Sequence, residues 1–229
     1  MFSLHGYGPS IFEGTILTLE VSLASLFIAM LLGIGGALAK LSTSPVLSGL
    51  AKLYTTIIRG IPDLVLMLLV FFGGQILVNQ MATLFGHDEY IDINPFIAGV
   101  STIGFIFGAY MTETFRGAIL AVNKGQLEAG YAYGMTAGQV FRRILLPQMV
   151  RHALPGFGNN WLVLIKTTAL VSIIGLDDMV RKAAMAAGAT RMPFTFYVVV
   201  AINYLLITTV SIYLLKYLEN RYSVGVRRE

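Results

Sequence analysis

Uncharged apolar stretches recur along this chain, and they limit its fold more than any other feature. They are about 20 residues long, the length that an α-helix needs to cross a hydrocarbon core ~30 Å thick. Hydrophobic residues make up 56% of the sequence and charged residues 12%. We therefore predict an all-α integral membrane protein with a single transmembrane domain over residues 1–229. The predicted spans are 12–39, 55–79, 94–122, 152–175 and 193–218.

Basic residues gather at the ends of these stretches, so we interpret the net charge of +4 as a topology signal and not as a nucleic-acid site. Three regions are predicted to face the cytoplasm, and they carry Lys40, Lys52, Lys124, Arg142, Arg143, Arg151, Arg221, Arg227 and Arg228. The segment GHDEYIDIN lacks Lys and Arg and is predicted to face outward, with His87, Asp88, Glu89 and Asp92. Five spans then place the N-terminus in the periplasm and the C-terminus in the cytoplasm.

Missing residue types exclude several classes of protein. The sequence has no cysteine, which excludes disulfides and thiolate chemistry, and its histidines, His5, His87 and His152, share no helical spacing that would hold a metal. The hydroxyls of TTALVS have no membrane-embedded histidine to activate them, so we predict no catalytic residue and no enzyme activity. No internal repeat is evident, which counts against a secondary transporter.

One half-polar segment, QLEAGYAYGMTAGQVFRRILLP, lies between two predicted spans. Gly134 stands where a left-handed helix cap would end a first short helix. Thr136 and Gln139 have the spacing of a capping box that would begin a second one. Pro147 is expected to end that helix or turn the chain soon afterwards. The pattern predicts a cytoplasmic helix-turn-helix, although an amphipathic connector on the lipid surface has the same periodicity.

The spacing of this segment resembles the EAA loop of permease subunits of ATP-binding-cassette importers. That pattern is Glu-Ala-Ala, three residues, Gly, nine residues, Ile, one residue and Leu-Pro. The matching residues are Glu128, Ala129, Gly134, Ile144, Leu146 and Pro147. Gly130 replaces the second Ala of the pattern. The resemblance makes residues of about 124–150 a coupling loop and assigns contact with an ATPase to Glu128, Ala129, Gly134, Met135 and Pro147.

The resemblance extends over the whole chain. The segments IIRGIPDLVLMLLVFFG, GAYMTETFRGAILAV and NNWLVLIKTTALVSIIG are similar to those of permeases for polar amino acids, especially histidine and the basic amino acids. The resemblance implies a five-helix permease of the bacterial inner membrane. It also implies a second permease, either a copy of this chain or a paralogue, two ATPase subunits that hold ATP and Mg, and a periplasmic binding protein. The chain itself is expected to hold no cofactor, and it has no phosphate-binding loop. Other polar amino acids or opines stay open as substrates, and an ATP-independent carrier or channel is the alternative class.

Polar residues inside the predicted spans are the candidates for a substrate pathway. A lone charge at the centre of a span costs about 2.5 to 3.5 kcal/mol, so each should face protein or water. Glu113 and Arg116 are three residues apart and can pair along one helix, which is the structural alternative to substrate contact. Asp63 follows the RGIP turn and could attract a cationic side chain. Its alternative role is to neutralise Arg59, which could also extend to the membrane surface.

The remaining candidates lie in the fourth predicted span. Lys166 could receive a substrate carboxylate or hold its helix to a neighbour, since hydroxyls follow it in TTALVS. Asn159 and Asn160 follow Pro155 and Gly156, and broken helices often surround transported ligands. Trp161 is more simply explained as an aromatic anchor at the membrane interface.

Overall fold

The computed structural model describes residues 4–87 and 89–222, and within them it contains helices and no strand. The long helices are α1 (Gly8–Leu41), α2 (Pro45–Gly60), α3 (Asp63–Leu84), α4 (Pro95–Ala121), α7 (Leu146–Thr167) and α9 (Pro193–Tyr222). The short ones are α5 (Lys124–Ala132), α6 (Ala137–Val140) and α8 (Met179–Thr190). The all-α prediction is confirmed. The predicted topology residues Asp88, Arg227 and Arg228 lie outside the described ranges.

The second predicted span, 55–79, is two helices and not one. Helix α2 ends at Gly60, and Ile61 is extended with φ −112° and ψ 139°. The reason is Pro62, which disfavours a helical conformation in the residue before it and precedes the first turn of α3. The true apolar span is therefore α3, and α2 begins ten residues before the predicted start.

Four of the described helices are long and apolar enough to cross a membrane, namely α1, α3, α4 and α9. Helix α7 occupies the fourth predicted span and has 22 residues, the same length as α3. Helix α7 is not one of the four apolar helices, because polar side chains interrupt its sequence. It begins at Leu146, before the predicted 152, and a 3₁₀ turn (Thr168–Ser172) continues it.

Helices α1 and α4 form the centre of the fold and run parallel. Ser25 on α1 donates to the Val100 carbonyl, and further along Gly104 lies against Ile28 and Gly108 against Leu32. A Cβ added to Gly104 would lie 2.7 Å from the Ile28 Cβ, so the approach depends on the missing side chain. The buried core continues along α4 through Ile103, Ile106, Phe107 and Met111.

Helices α3 and α7 run opposite to this pair, and α9 runs opposite to α7. The Ile93 N–H donates to Gln75 Oε1 at 2.9 Å, which brings the second half of α3 to the beginning of α4, so these two helices are antiparallel. Helix α7 is antiparallel to α4, because Gly156 packs on Thr114 while Gly99, near the start of α4, packs on Val171. Helix α9 is antiparallel to α7, because Gly158 packs on Leu215 while Tyr204 lies beside Thr168. The end of α9 therefore lies beside the beginning of α7, at the end of the bundle that also holds Lys40.

We expect Gly33→Leu to lower stability by about 1–3 kcal/mol through overpacking. A Cβ on Gly33 would overlap the Met111 side chain and lie 3.1 Å from its carbonyl carbon. Gly35→Leu, on the open side of the same helix, is the matched control, since a Cβ there meets nothing within 4 Å. The melting temperature of the detergent-purified assembly measures the difference. Equal melting temperatures for the two variants would contradict the α1–α4 contact.

Candidate coupling loop and transport pathway

The predicted first helix of the loop is present as α5. Asn123 caps its start, accepting from the Gly125 N–H at 2.8 Å. Glu128 and Ala129 are both exposed on it. The side chain of Gln148 on α7 donates to Gln126 Oε1 at 2.6 Å and ties α5 to the bundle. Two of the residues assigned to ATPase contact are therefore free to meet another protein, on a helix that is held in place.

Gly134 ends α5 in the left-handed conformation predicted for it, with φ +78°. Its N–H donates to the Tyr131 carbonyl at 2.9 Å, and the Met135 N–H donates to the Gly130 carbonyl at 3.1 Å. These two bonds define a Schellman motif, which satisfies carbonyls at the helix end. The cap prediction is confirmed, and Met135 is the residue whose backbone completes it.

The predicted capping box is also present. The Thr136 N–H donates to Gln139 Oε1 at 2.9 Å, and the Gln139 N–H donates to Thr136 Oγ1 at 3.4 Å. The second helix is short, because α6 passes at Phe141 into a single π turn (Phe141–Leu145).

The expectation that Pro147 ends this second helix is wrong. Pro147 stands in the first turn of α7, and the helix continues beyond it to Thr167. A proline lacks the N–H that would bond the preceding turn, and its ring crowds a regular α-helical turn there. In the π turn the Leu146 N–H bonds the Phe141 carbonyl instead. This wider turn lets α6 and α7 join without a break.

Gly130, the departure from the EAA pattern, is the buried residue of α5. A Cβ there would lie 2.6 Å from Ile144 Cδ1 and 3.2 Å from Val140 Cγ2. The glycine therefore allows α5 to lie directly against α6 and the π turn. Because Ile144 Cδ1 ends a flexible side chain, an alanine would be accommodated by a small shift. The departure leaves the loop architecture unchanged.

Glu113 is engaged by two cations at the ends of α1 and α4. Its Oε2 accepts from Arg116 Nη2 at 3.0 Å, and its Oε1 is ion-paired with Lys40. The side chain of Lys40 is only 10% exposed and that of Glu113 22%. The predicted pairing along α4 is therefore present. Lys40 was not predicted as a partner, because 73 residues separate it from Glu113 and no local pattern reports such a contact.

Asp63 is the first residue of α3, where the positive end of the helix dipole favours a carboxylate. Among the described residues it forms no ion pair with Arg59. The Arg59 guanidinium lies over the Tyr110 ring, 5.5 Å from its centroid. The alternative in which Asp63 serves to neutralise Arg59 is not the arrangement in the structure.

The two asparagines of α7 face different ways. Asn160 donates to Thr114 Oγ1 on α4 at 3.0 Å, so its amide joins two helices. Asn159 is exposed and faces a groove beside α9. Trp161 is partly buried against the core, and its expected role as an interfacial anchor stays a prediction.

Lys166 is exposed on the same side of α7 as Asn159 and Val163, at helical spacing. It lies about 12 Å further along the axis than Gly158, at 1.5 Å per residue. Gly158 packs against Leu215, next to Lys216, the first charge after the apolar stretch of α9. Lys166 is therefore well inside the depth that α9 spans, on an open face, and no described acidic group pairs with it.

Two further features were missed by sequence reasoning. Tyr133, at the tip of the loop, is 87% exposed, and an exposed aromatic beside a tight turn is a signal that could have been used. Asp178 is fully buried, and its Oδ1 accepts from the Arg181 N–H at 2.9 Å as the cap of α8. Its Oδ2 and the Tyr204 hydroxyl have no hydrogen-bond partner within the described part of the chain.

Comparison with known proteins gives the family. Residues 25–224 match the profile of the binding-protein-dependent transport system inner membrane component. The chain is 54% identical over 98% of both proteins to the histidine/lysine/arginine/ornithine transport system permease protein HisQ of Salmonella typhimurium. It is 44% identical to the octopine transport system permease protein OccQ of Rhizobium radiobacter, over 99% of this chain and 96% of that one.

Solved structures agree. The crystal structure of an amino acid ABC transporter with histidines superposes with a TM-score of 0.82 at 34% identity, covering 96% of this chain and 98% of that one. The MetNI methionine ABC transporter, at 17% identity and a TM-score of 0.65, covers 95% of this chain and 96% of its own and agrees in fold alone. The EAA-type loop, the helical bundle and these matches together show that the chain belongs to the family of inner-membrane permease components of binding-protein-dependent ABC transport systems.

Proposed function

We propose that this chain is a permease subunit that carries histidine and the basic amino acids arginine, lysine and ornithine inward across the bacterial inner membrane. The observation that carries the proposal is the 54% identity, over nearly the whole of both chains, to a permease named for these four substrates. Octopine and nopaline permeases, at 44% identity, make an opine the second candidate. As a member of its family, the chain works with an ATPase and a binding protein.

The full assembly that we propose contains a second permease, two ATPase subunits with ATP and Mg, and a periplasmic amino-acid-binding protein. The coupling loop supports the ATPase contact, because Glu128, Ala129 and Tyr133 are exposed together on one rigid helix-turn-helix. The loop continues through the π turn into α7 without a break. A displacement of the loop by closure of the ATPase would therefore move α7 directly.

The pathway that we propose passes Lys166, toward the end of α7. A charged side chain at membrane depth should face water or protein rather than lipid, since facing lipid costs about 2.5 to 3.5 kcal/mol at mid-span. Lys166 meets that condition if its face lines a pathway closed by the second permease. In this arrangement Lys166 receives the carboxylate that all the proposed substrates share, and Asp63 attracts the cationic side chain that distinguishes the basic ones. Glu113 and Asn160 have structural partners, and Asn159 lies nearer the cytoplasmic end.

Reconstitution tests the function. The permease, its proposed second permease and the ATPase would be placed in liposomes with ATP inside and the binding protein outside. Uptake of radiolabelled histidine, arginine and lysine should require both ATP and the binding protein. Uptake of octopine alone would favour the second candidate, and ATP-independent uptake would refute the importer.

We predict that Gly134→Val uncouples transport, because a β-branched residue at φ +78° is strained even in open space. ATP-driven uptake in the same liposomes should fall several-fold while the permease still reaches the membrane. Gly138→Val is the control, since Gly138 is helical and a Cβ there meets nothing within 4 Å. Wild-type uptake by Gly134→Val would remove Gly134 from the coupling assignment.

We predict different substrate profiles for Asp63→Asn and Lys166→Met. Asp63→Asn should lose arginine and lysine uptake more than histidine uptake, because only part of the histidine is charged near pH 7. Lys166→Met should lower uptake of every substrate, since it removes the partner of the shared carboxylate. Lys52→Met, on the exposed side of α2, is the control. Equal losses of uptake for all substrates in Asp63→Asn would count against a role of Asp63 in substrate selection. Adding Arg59→Gln to Asp63→Asn should not restore uptake.

The orientation that we propose has the N-terminus in the periplasm and the C-terminus in the cytoplasm. Single cysteines at Glu89 and Arg221, in a chain without native cysteine, should react with an impermeant maleimide from opposite sides of the membrane. Glu89→Cys should be labelled in intact spheroplasts and Arg221→Cys only after lysis. Labelling of both from the same side would contradict five crossings.

A further inference from the structure

An open groove of about 450 Å³ lies between α7 and α9, at the end of the bundle where α7 begins. Its walls differ along its length. Leu162, Ile212 and Leu215 line the part deeper in the bundle, and Asn159, Lys216 and Glu219 line the part nearer the end. The groove is therefore apolar at one end and charged at the other.

The groove lining changes from apolar to charged at the membrane boundary. Residues 194–215 of α9 contain no charged side chain and extend about 33 Å at 1.5 Å per residue, which matches the hydrocarbon thickness. Lys216 is the first charge that follows, and Glu219 lies one turn beyond it. The apolar part of the groove is thus at acyl-chain depth, and its charged part is at headgroup depth on the side of the coupling loop.

The two charges are available to a ligand. Neither Lys216 nor Glu219 forms an ion pair with any side chain in residues 4–87 or 89–222. They are three residues apart and share one face of α9. The Asn159 amide adds a neutral donor and acceptor from the opposite wall. The polar end therefore presents a cation and an anion side by side.

We propose that this groove binds a phospholipid with a zwitterionic headgroup that carries a primary ammonium. The phosphate lies against the Lys216 ammonium, the headgroup ammonium donates to the Glu219 carboxylate, and an acyl chain packs on Leu162 and Ile212. Glu219 disfavours an anionic headgroup by repulsion. A choline headgroup has no N–H, so it cannot make the charge-assisted hydrogen bond.

An amino acid also carries an anion beside an ammonium, but it has no long apolar chain to cover Leu162 and Ile212. Exposed apolar wall at membrane depth is covered by lipid or protein, and a phospholipid also supplies the phosphate and ammonium that complement Lys216 and Glu219. The groove is therefore assigned to lipid and not to a transported substrate.

Native mass spectrometry of the whole assembly, with its second permease and ATPase, tests the proposal. Phosphatidylethanolamine, phosphatidylcholine and phosphatidylglycerol of identical acyl chains would be added in turn to delipidated complex. We expect one more phosphatidylethanolamine to be retained, at several-fold lower concentration than either other lipid. Lys216→Gln with Glu219→Gln should abolish that preference.

The matched control is Lys52→Gln with Glu89→Gln, which removes the same two charge types from exposed positions elsewhere and should keep the preference. Equal retention of phosphatidylethanolamine and phosphatidylcholine, or an unchanged preference in the Lys216/Glu219 variant, would overturn the proposal. Displacement of the bound lipid by millimolar arginine or histidine would also overturn it, because the groove would then be a substrate site.

Discussion

The close parallel contact of α1 with α4 is the constraint on which the rest of this structure depends. In lipid, apolar side chains gain little by leaving their surroundings, so association of helices relies on close packing and interhelical hydrogen bonds. The glycines at 33, 104 and 108 allow the two backbones to approach, and the Ser25 hydroxyl bonds across them. Lys40 and Glu113 close the end of the same contact. Helices α3 and α7 then pack on other faces of α4, and α8 and α9 complete the bundle.

The coupling loop is attached to this core on one side only. Its first helix is held against the start of α7 by the Gln126–Gln148 bond and by the packing of Gly130 on Ile144. Its other surface, with Glu128 and Tyr133, is exposed. A segment that is packed against its own protein on one side and exposed on the other is suited to transmit a displacement. The membrane helix that it adjoins is also the one with the polar open face.

Sequence patterns predicted the parts of this molecule that local chemistry determines. The uncharged stretches located α1, α4 and α9, and the Gly134 cap and the Thr136 capping box followed from residue spacing. The break at Pro62 does not follow from the apolar pattern, because that pattern continues on both sides of the RGIP turn and predicts one span. Pro147 was wrongly predicted to end the helix. The π turn before it accommodates the proline ring and the missing N–H, and no residue type specifies such a turn. The partner of Glu113 could not be predicted from sequence, because it depends on tertiary packing of distant helices.

The single π turn at Phe141–Leu145 has a mechanical consequence. It contains one residue more than a regular turn, and conversion to α-helix would displace that residue into a neighbouring turn. Such a one-residue register change rotates one flank of the helix relative to the other by about 100° and shifts it by about 1.5 Å. If the π turn converted in this way, the Gln126–Gln148 bond across the joint would break, and a displacement of about 1.5 Å would change which side chains of α7 face a given neighbour.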